Sequence, residues 1–169
     1  MSRGIFDNLD WPDRPLEQAR LYNPAFISAI LFQLALGAKQ ENNLGLDFVF
    51  SFIAVPILLH PEMRSSLPGK ATVSIINWAA ENSALLAHLP NKVTRIQGVV
   101  KEGTWFGLSQ EVLSIEGRYL LPCSDAMKRT SPNSTSETRE IQKLAMRLGR
   151  MLGNVENPET LYTILGIRP

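Results

Sequence analysis

Two short stretches of this chain carry residue types that chemistry uses. His60, Pro61 and Glu62, followed much later by Pro122 and Cys123, have the order in which a zinc deaminase sets its ligands and its general acid/base: His-x-Glu, then Pro-Cys-x-x-Cys. Ala126 stands where the second cysteine belongs, and Cys123 is the single cysteine of the chain. A catalytic zinc takes three protein ligands; His60 and Cys123 supply two. Gly69, Lys70, Ala71 and Thr72 end like a phosphate-cradling loop. That loop needs a glycine five positions earlier, to bring backbone N–H groups onto phosphate, and a hydroxyl beside the lysine for Mg²⁺. Arg64 and Ala71 occupy those places, so the stretch reads as a turn before a helix. As a nucleophile Cys123 would need a base and an orienting group, and it borders a polar linker. His88 reads as a helix-surface residue. No pair of carboxylates falls at helical spacing on an apolar face. The sequence therefore points to no catalytic residue, cofactor, metal site or small-molecule substrate, and enzyme is the weakest class.

Two sets of residues suit binding. Lys92, Arg95 and Lys101 lie on one predicted helix, Arg118 at a hairpin turn, and Lys128 and Arg129 in a linker; all six could meet DNA phosphates. Against them, 17 basic and 16 acidic residues leave a net charge of +1, and a dedicated DNA binder usually carries a strongly basic face. The apolar set is Trp11, within the sequence WPDRP, and Leu144, Leu148, Met151 and Leu152 on a late amphipathic helix. These are candidate partner contacts, with burial inside the chain the open alternative for the helix.

Elements that would position these residues follow from periodicity. Asn23 and Pro24 are an N-cap followed by a proline at the first helical position. Phe26, Ile27, Ile30, Leu31, Leu34 and Ala35 then recur at helical spacing, with Phe32 and Leu36 widening the stripe. A helix apolar nearly all round is buried, and Gly37 is expected to stop it. Residues 46–60 read as a buried helix kinked at Pro56, since proline argues against a central strand. Pro61 opens a short helix or turn. Thr72 or Ser74 caps another through Trp78, and residues 83–89 form one more. Residues 92–110 read as a long helix with Val93, Ile96, Val99, Val100 and Phe106 inward. Gly98, Gly103 and Gly107 weaken it by roughly 1 kcal/mol each, which close approach of a neighbour would offset. The stretch VLSIEGRYLLP alternates about Glu116 and Gly117 as a two-residue hairpin. Residues 122–138 are a Ser/Thr/Pro/Asn-rich linker, expected to be mobile. Ile141, Leu144, Ala145, Leu148, Met151 and Leu152 then form a helical stripe, with Lys143, Arg147 and Arg150 elsewhere on that helix. Asn157 and Pro158 repeat the cap-plus-proline start of a last short helix.

With 44% apolar and 20% charged residues, the chain can bury a core. The expected fold is mainly α: a winged helix–turn–helix-like helical domain with a small β-hairpin, plus C-terminal helices. The expected organisation is an N-terminal arm (1–20), that domain (21–121), a linker (122–138), and C-terminal helices (139–169) docking on the core or on a partner. The longest apolar run, residues 48–59, is shorter than the about 20 residues of a membrane span. The polar first residues lack a signal-type apolar core, and a lone cysteine fits a reducing compartment. A cytoplasmic protein is expected.

The succession NPAFISAILFQLALG, LDFVFSFIAVPILLHPEMRSSLP, TVSIINWAAENSALL and WFGLSQEVLSIEGRYLLP resembles the middle component of bacterial three-component ABC systems, which include the Lamassu-type defences against phages and plasmids. The resemblance spans residues 20–121 and resumes at 139–167. It implies a non-enzymatic subunit joining an SMC/Rad50-like ATPase dimer to an effector, often a nuclease, with DNA possible within the complex. The alternative from another class is a winged-helix DNA-binding transcriptional regulator.

Overall fold

The computed structural model describes residues 22–123 and 135–168. The first helix, α1 (Pro24–Asn42), begins as its sequence asks: the Asn23 side chain accepts from the Ala25 N–H at 2.8 Å. It does not stop at Gly37. It runs a further turn to Asn42 and ends on Asn43 in the left-handed region at φ 60°. The Asn42 side chain accepts from Leu44 and Gly45 N–H and so turns the chain into β1 (Leu46–Asp47). Gly37 serves packing instead. A Cβ there would overlap the backbone carbonyl of Met146.

Residues 46–50, expected to begin a helix, form β1 and a 3-10 turn (Phe48–Phe50) instead; the buried helix α2 (Ser51–Leu59) follows and keeps Pro56 inside it, as expected. Short helices α3 (Pro61–Ser66), α4 (Ile75–Glu81, capped by Ser74) and α5 (Ser83–Leu86) follow. The long helix α6 (Leu89–Ser109) starts at Leu89, three residues before the expected 92, because Pro90 fits its first turn. β2 (Leu113–Glu116) and β3 (Tyr119–Pro122) form the hairpin. Its two-residue loop is Gly117-Arg118, one residue later than expected, with Gly117 at φ 61° supplying the positive angle such a connection needs. Last come α7 (Ser136–Gly153, capped by Thr135) and α8 (Pro158–Ile164, capped by Asn157).

The sheet is antiparallel in the order β1-β3-β2, with Leu46 opposite Leu120. The molecule is mainly helical, with a small three-stranded sheet reached from a long helix; a winged helix–turn–helix arrangement is compatible with this. A two-residue strand such as β1 carries no alternation to read, which is why the sequence shows only the hairpin.

The core is organised round α1. Ile27, Ile30, Leu31, Phe32 and Leu34 are all essentially inaccessible, each such burial contributing about 1.5–3 kcal/mol. On one side α6 crosses it at Gly103 and Gly107, where a Cβ would strike Ile27, Ser28 and Leu113. The close approach expected of the α6 glycines is therefore found at these two, while Gly98 is exposed. On the other side α7 lies against α1 backbone to backbone: a Cβ on Gly149 would overlap the Leu34 carbonyl, and one on Gly153 would stand 2.9 Å from the Ala38 carbonyl. The buried Arg64 guanidinium fastens α3 to the first turn of α7, donating to the Leu58 carbonyl and to Glu137 Oε1, each at 2.9 Å.

Candidate interaction surfaces

The hairpin turn is tied down from below. Arg118 Nη2 meets the buried carboxylate of Asp47 at 2.8 Å and lies over the Tyr119 ring, 5.4 Å from its centroid. Asp47 also accepts from Val49 N–H, capping the 3-10 turn. Beside this pair a cleft of about 840 Å³ opens between the turn, α6 and α8, with Phe52, Val93, Gln97, Pro158 and Ile167 on its walls. Tyr162 sits at its floor and donates its hydroxyl proton to the Val49 carbonyl at 2.5 Å. Burial, with the Asp47 charge adding to it, pushes the phenol up from 10.0 to about 12. Asp47 and Tyr162 are both engaged in holding structure, so this cleft offers a shaped surface rather than a poised acid or base.

The cations expected to meet DNA are separated. Lys92 and Arg95 share a groove of about 260 Å³ with Tyr22, Leu59, His60 and Ile96. Lys101 is nine positions beyond Lys92, which at about 100° per residue puts it on the opposite side of α6. Arg118 is committed to Asp47. Lys128 and Arg129 lie outside the described residues, as does Trp11.

Leu148, Met151 and Leu152 are at most 2% exposed, and Leu144 is partly buried. Of the two destinations left open for this stripe, a partner or the chain itself, the structure shows the second: Leu148 and Leu152 line one small apolar void with Ile53, Ile57, Trp78 and Leu161. The physical reason is that α2, α4 and α8 bring apolar side chains to the stripe while an adjoining side of α7 meets α1. An all-round apolar helix needs cover on both sides, and Gly149 and Gly153 let α7 supply it at backbone distance.

Three other apolar side chains stand open. Trp105 is 73% exposed, and Phe106, expected inward, is 37% exposed. Ile115, on the outer side of β2, is 44% exposed. Trp105 is nine residues after the buried Ile96, half a turn round α6 from the core-facing side. Phe106 falls at the boundary between the two faces. That count of positions is the signal that distinguishes them in the sequence.

The residues considered for chemistry are apart in role as well as in sequence. His60 closes α2 and opens α3; Cys123 follows β3, its N–H given to the Val112 carbonyl. Among the described residues no group of three or more His, Cys, Asp or Glu is placed to hold a metal ion, and no helix is long and apolar enough to cross a membrane.

Compared with known proteins, residues 11–169 match a family model described as ABC-three component (ABC-3C) system Middle Component 3. No curated protein and no solved structure matches the chain.

Proposed function

The chain belongs to the Middle Component 3 family of ABC-three component systems, and from that membership we propose that it is a non-catalytic adaptor. In this reading it joins an SMC/Rad50-like ATPase dimer to an effector, a nuclease being the favoured kind, in a Lamassu-like bacterial defence against phages and plasmids. The observation that carries the adaptor reading is the family match over nearly the whole chain. The open aromatic pair on α6 supports it physically. Tryptophan is among the residues most enriched at binding hot spots, and an indole left 73% exposed removes little apolar area from water in the isolated chain. We assign Trp105, with Phe106 and Ile115, to the contact with another component.

The test is affinity purification of the chain co-expressed with the products of the neighbouring genes, in parallel with Trp105→Ser. Wild type is expected to bring down an ATPase and an effector in fixed ratio. The variant is expected to melt as wild type does, since exposed substitutions shift stability by about 0.5 kcal/mol or less, and to lose about tenfold or more of the associated protein. Full retention of both partners by the variant removes Trp105 from the interface. Purification of the chain alone removes the adaptor reading.

The regulator reading keeps one observation in its favour, the long helix leading into a small three-stranded sheet. Its cations are divided between two sides of that helix, which is a poor footprint for a recognition helix.

A further inference from the structure

The solvent side of α7, bordering its contact with α1 at Arg150, carries Arg139, Lys143, Arg147 and Arg150. Their spacing of four, four and three residues keeps them within about a quarter of the helix circumference, over a length of about 16 Å. Lys70, from the loop between α3 and α4, joins Lys143, Arg147 and Arg150 round a groove of about 440 Å³ whose remaining walls are Gly69, Ala71, Thr72 and Met146. Among the described residues no carboxylate lines it. Two of the five cations have partners: Arg147 donates to the Pro68 carbonyl at 3.2 Å, which leaves its charge whole, and Arg150 pairs with Glu41. Arg139, Lys143 and Lys70 are exposed and make no ion pair among the described residues. Of the acids near by on α7, Glu137 is taken by Arg64, and Glu140 flanks the stripe.

We propose that this surface, the outer face of α7 with the Lys70 loop, binds the phosphate backbone of duplex DNA. A net +1 chain that concentrates five cations on one helix face and its facing loop has a local field that its total charge conceals. The Arg147–Pro68 contact holds the loop against the helix and keeps the groove formed. The lining selects among polyanions. Among the described residues it has no aromatic side chain on which single-stranded bases could stack. Among the described residues it has no apolar wall larger than Met146 to anchor a peptide. A straight ridge of guanidinium and ammonium groups fits a regularly spaced backbone, and binding there is independent of sequence. The inference does not rest on the adaptor reading, since it uses a face remote in role from Trp105.

The experiment is binding of the full chain to a labelled blunt duplex over a salt series. Counterion release gives a slope of about −0.9 per phosphate contacted, so about four contacts predict affinity falling about 100-fold between about 50 and 200 mM salt. The triple variant Lys70→Gln, Arg139→Gln, Lys143→Gln is expected to reduce the slope by about 3 and low-salt affinity by tenfold or more. Lys92→Gln with Arg95→Gln is expected to leave both unchanged. Tryptophan fluorescence melts check that both variants fold. The proposal is overturned by absence of duplex binding at the lowest salt. It is also overturned by binding that survives the triple variant, or that is lost through Lys92 and Arg95 instead. Preferential binding of single strands or of polyglutamate over duplex overturns it as well, in favour of that ligand.

Discussion

Tyr162 shows how a single residue ties the C-terminal part to the sheet. Its hydroxyl crosses from α8 to the Val49 carbonyl, and burial beside Asp47 keeps its proton on to about pH 12. The sign of the pH effect follows. Below pH 10.0 the phenol is protonated in folded and unfolded chains alike, and the contact is complete. Between pH 10.0 and about 12 the unfolded chain ionises first, the folded state holds the extra proton, and stability falls as pH rises by up to about 1.4 kcal/mol per unit. Tyr162→Phe is expected to lose about 1 kcal/mol at neutral pH and to lack that alkaline decline, as measured by urea unfolding across the pH range against wild type. An equal decline in both proteins would assign it to other groups. At this scale the sequence was legible where a residue acts on its own neighbours: Asn23, Ser74 and Asn157 all cap as their types predict. It was opaque where the partner is distant. Nothing local marks Tyr162 as bound to Val49, or Arg118 as paired with Asp47.

Between elements, glycine decides. The pattern of α1 announces a buried helix, and α1 is one. Gly37 looked like its end because glycine favours that position, yet the helix passes through it. The glycine is there for α7, as Gly149 on α7 is there for α1. Termination is a local property and close approach is not, so one residue type carries two signals that a single sequence does not separate. Gly149→Ala is expected to destabilise the chain by about 3 kcal/mol or more, because the clash is with the Leu34 backbone, which cannot rotate away as a side chain can. Gly98→Ala, at an exposed position of α6, is expected to stabilise it by about 0.5–1 kcal/mol. Thermal melts of the two variants check both; a neutral Gly149→Ala would mean that α1 and α7 are not in backbone contact. The amphipathic stripe of α7 was legible as a stripe. Its destination was not, because periodicity gives the side a helix buries and says nothing of what buries it. The same helix leaves its opposite, cationic side open, which is where we place duplex DNA.

Among the described residues, the winged-helix-like part and the C-terminal helices share one core round α1, and two features stand outward: the aromatic end of α6 and the basic face of α7. An adaptor needs separate surfaces on a rigid body, and the doubly clamped α1 supplies the rigidity. Fold class was readable from helix periodicity and one hairpin, whereas β1, too short to alternate, and Trp105, on the side of α6 that core reasoning ignores, were not. The most direct test of the adaptor reading is the mass, by native mass spectrometry, of the assembly purified when this chain is co-expressed from its locus. The account predicts one discrete species containing this chain, a dimeric ATPase and an effector in whole-number ratio, reduced to the free chain by Trp105→Ser. A chain that emerges alone, at the mass of a monomer or of its own dimer, would contradict it.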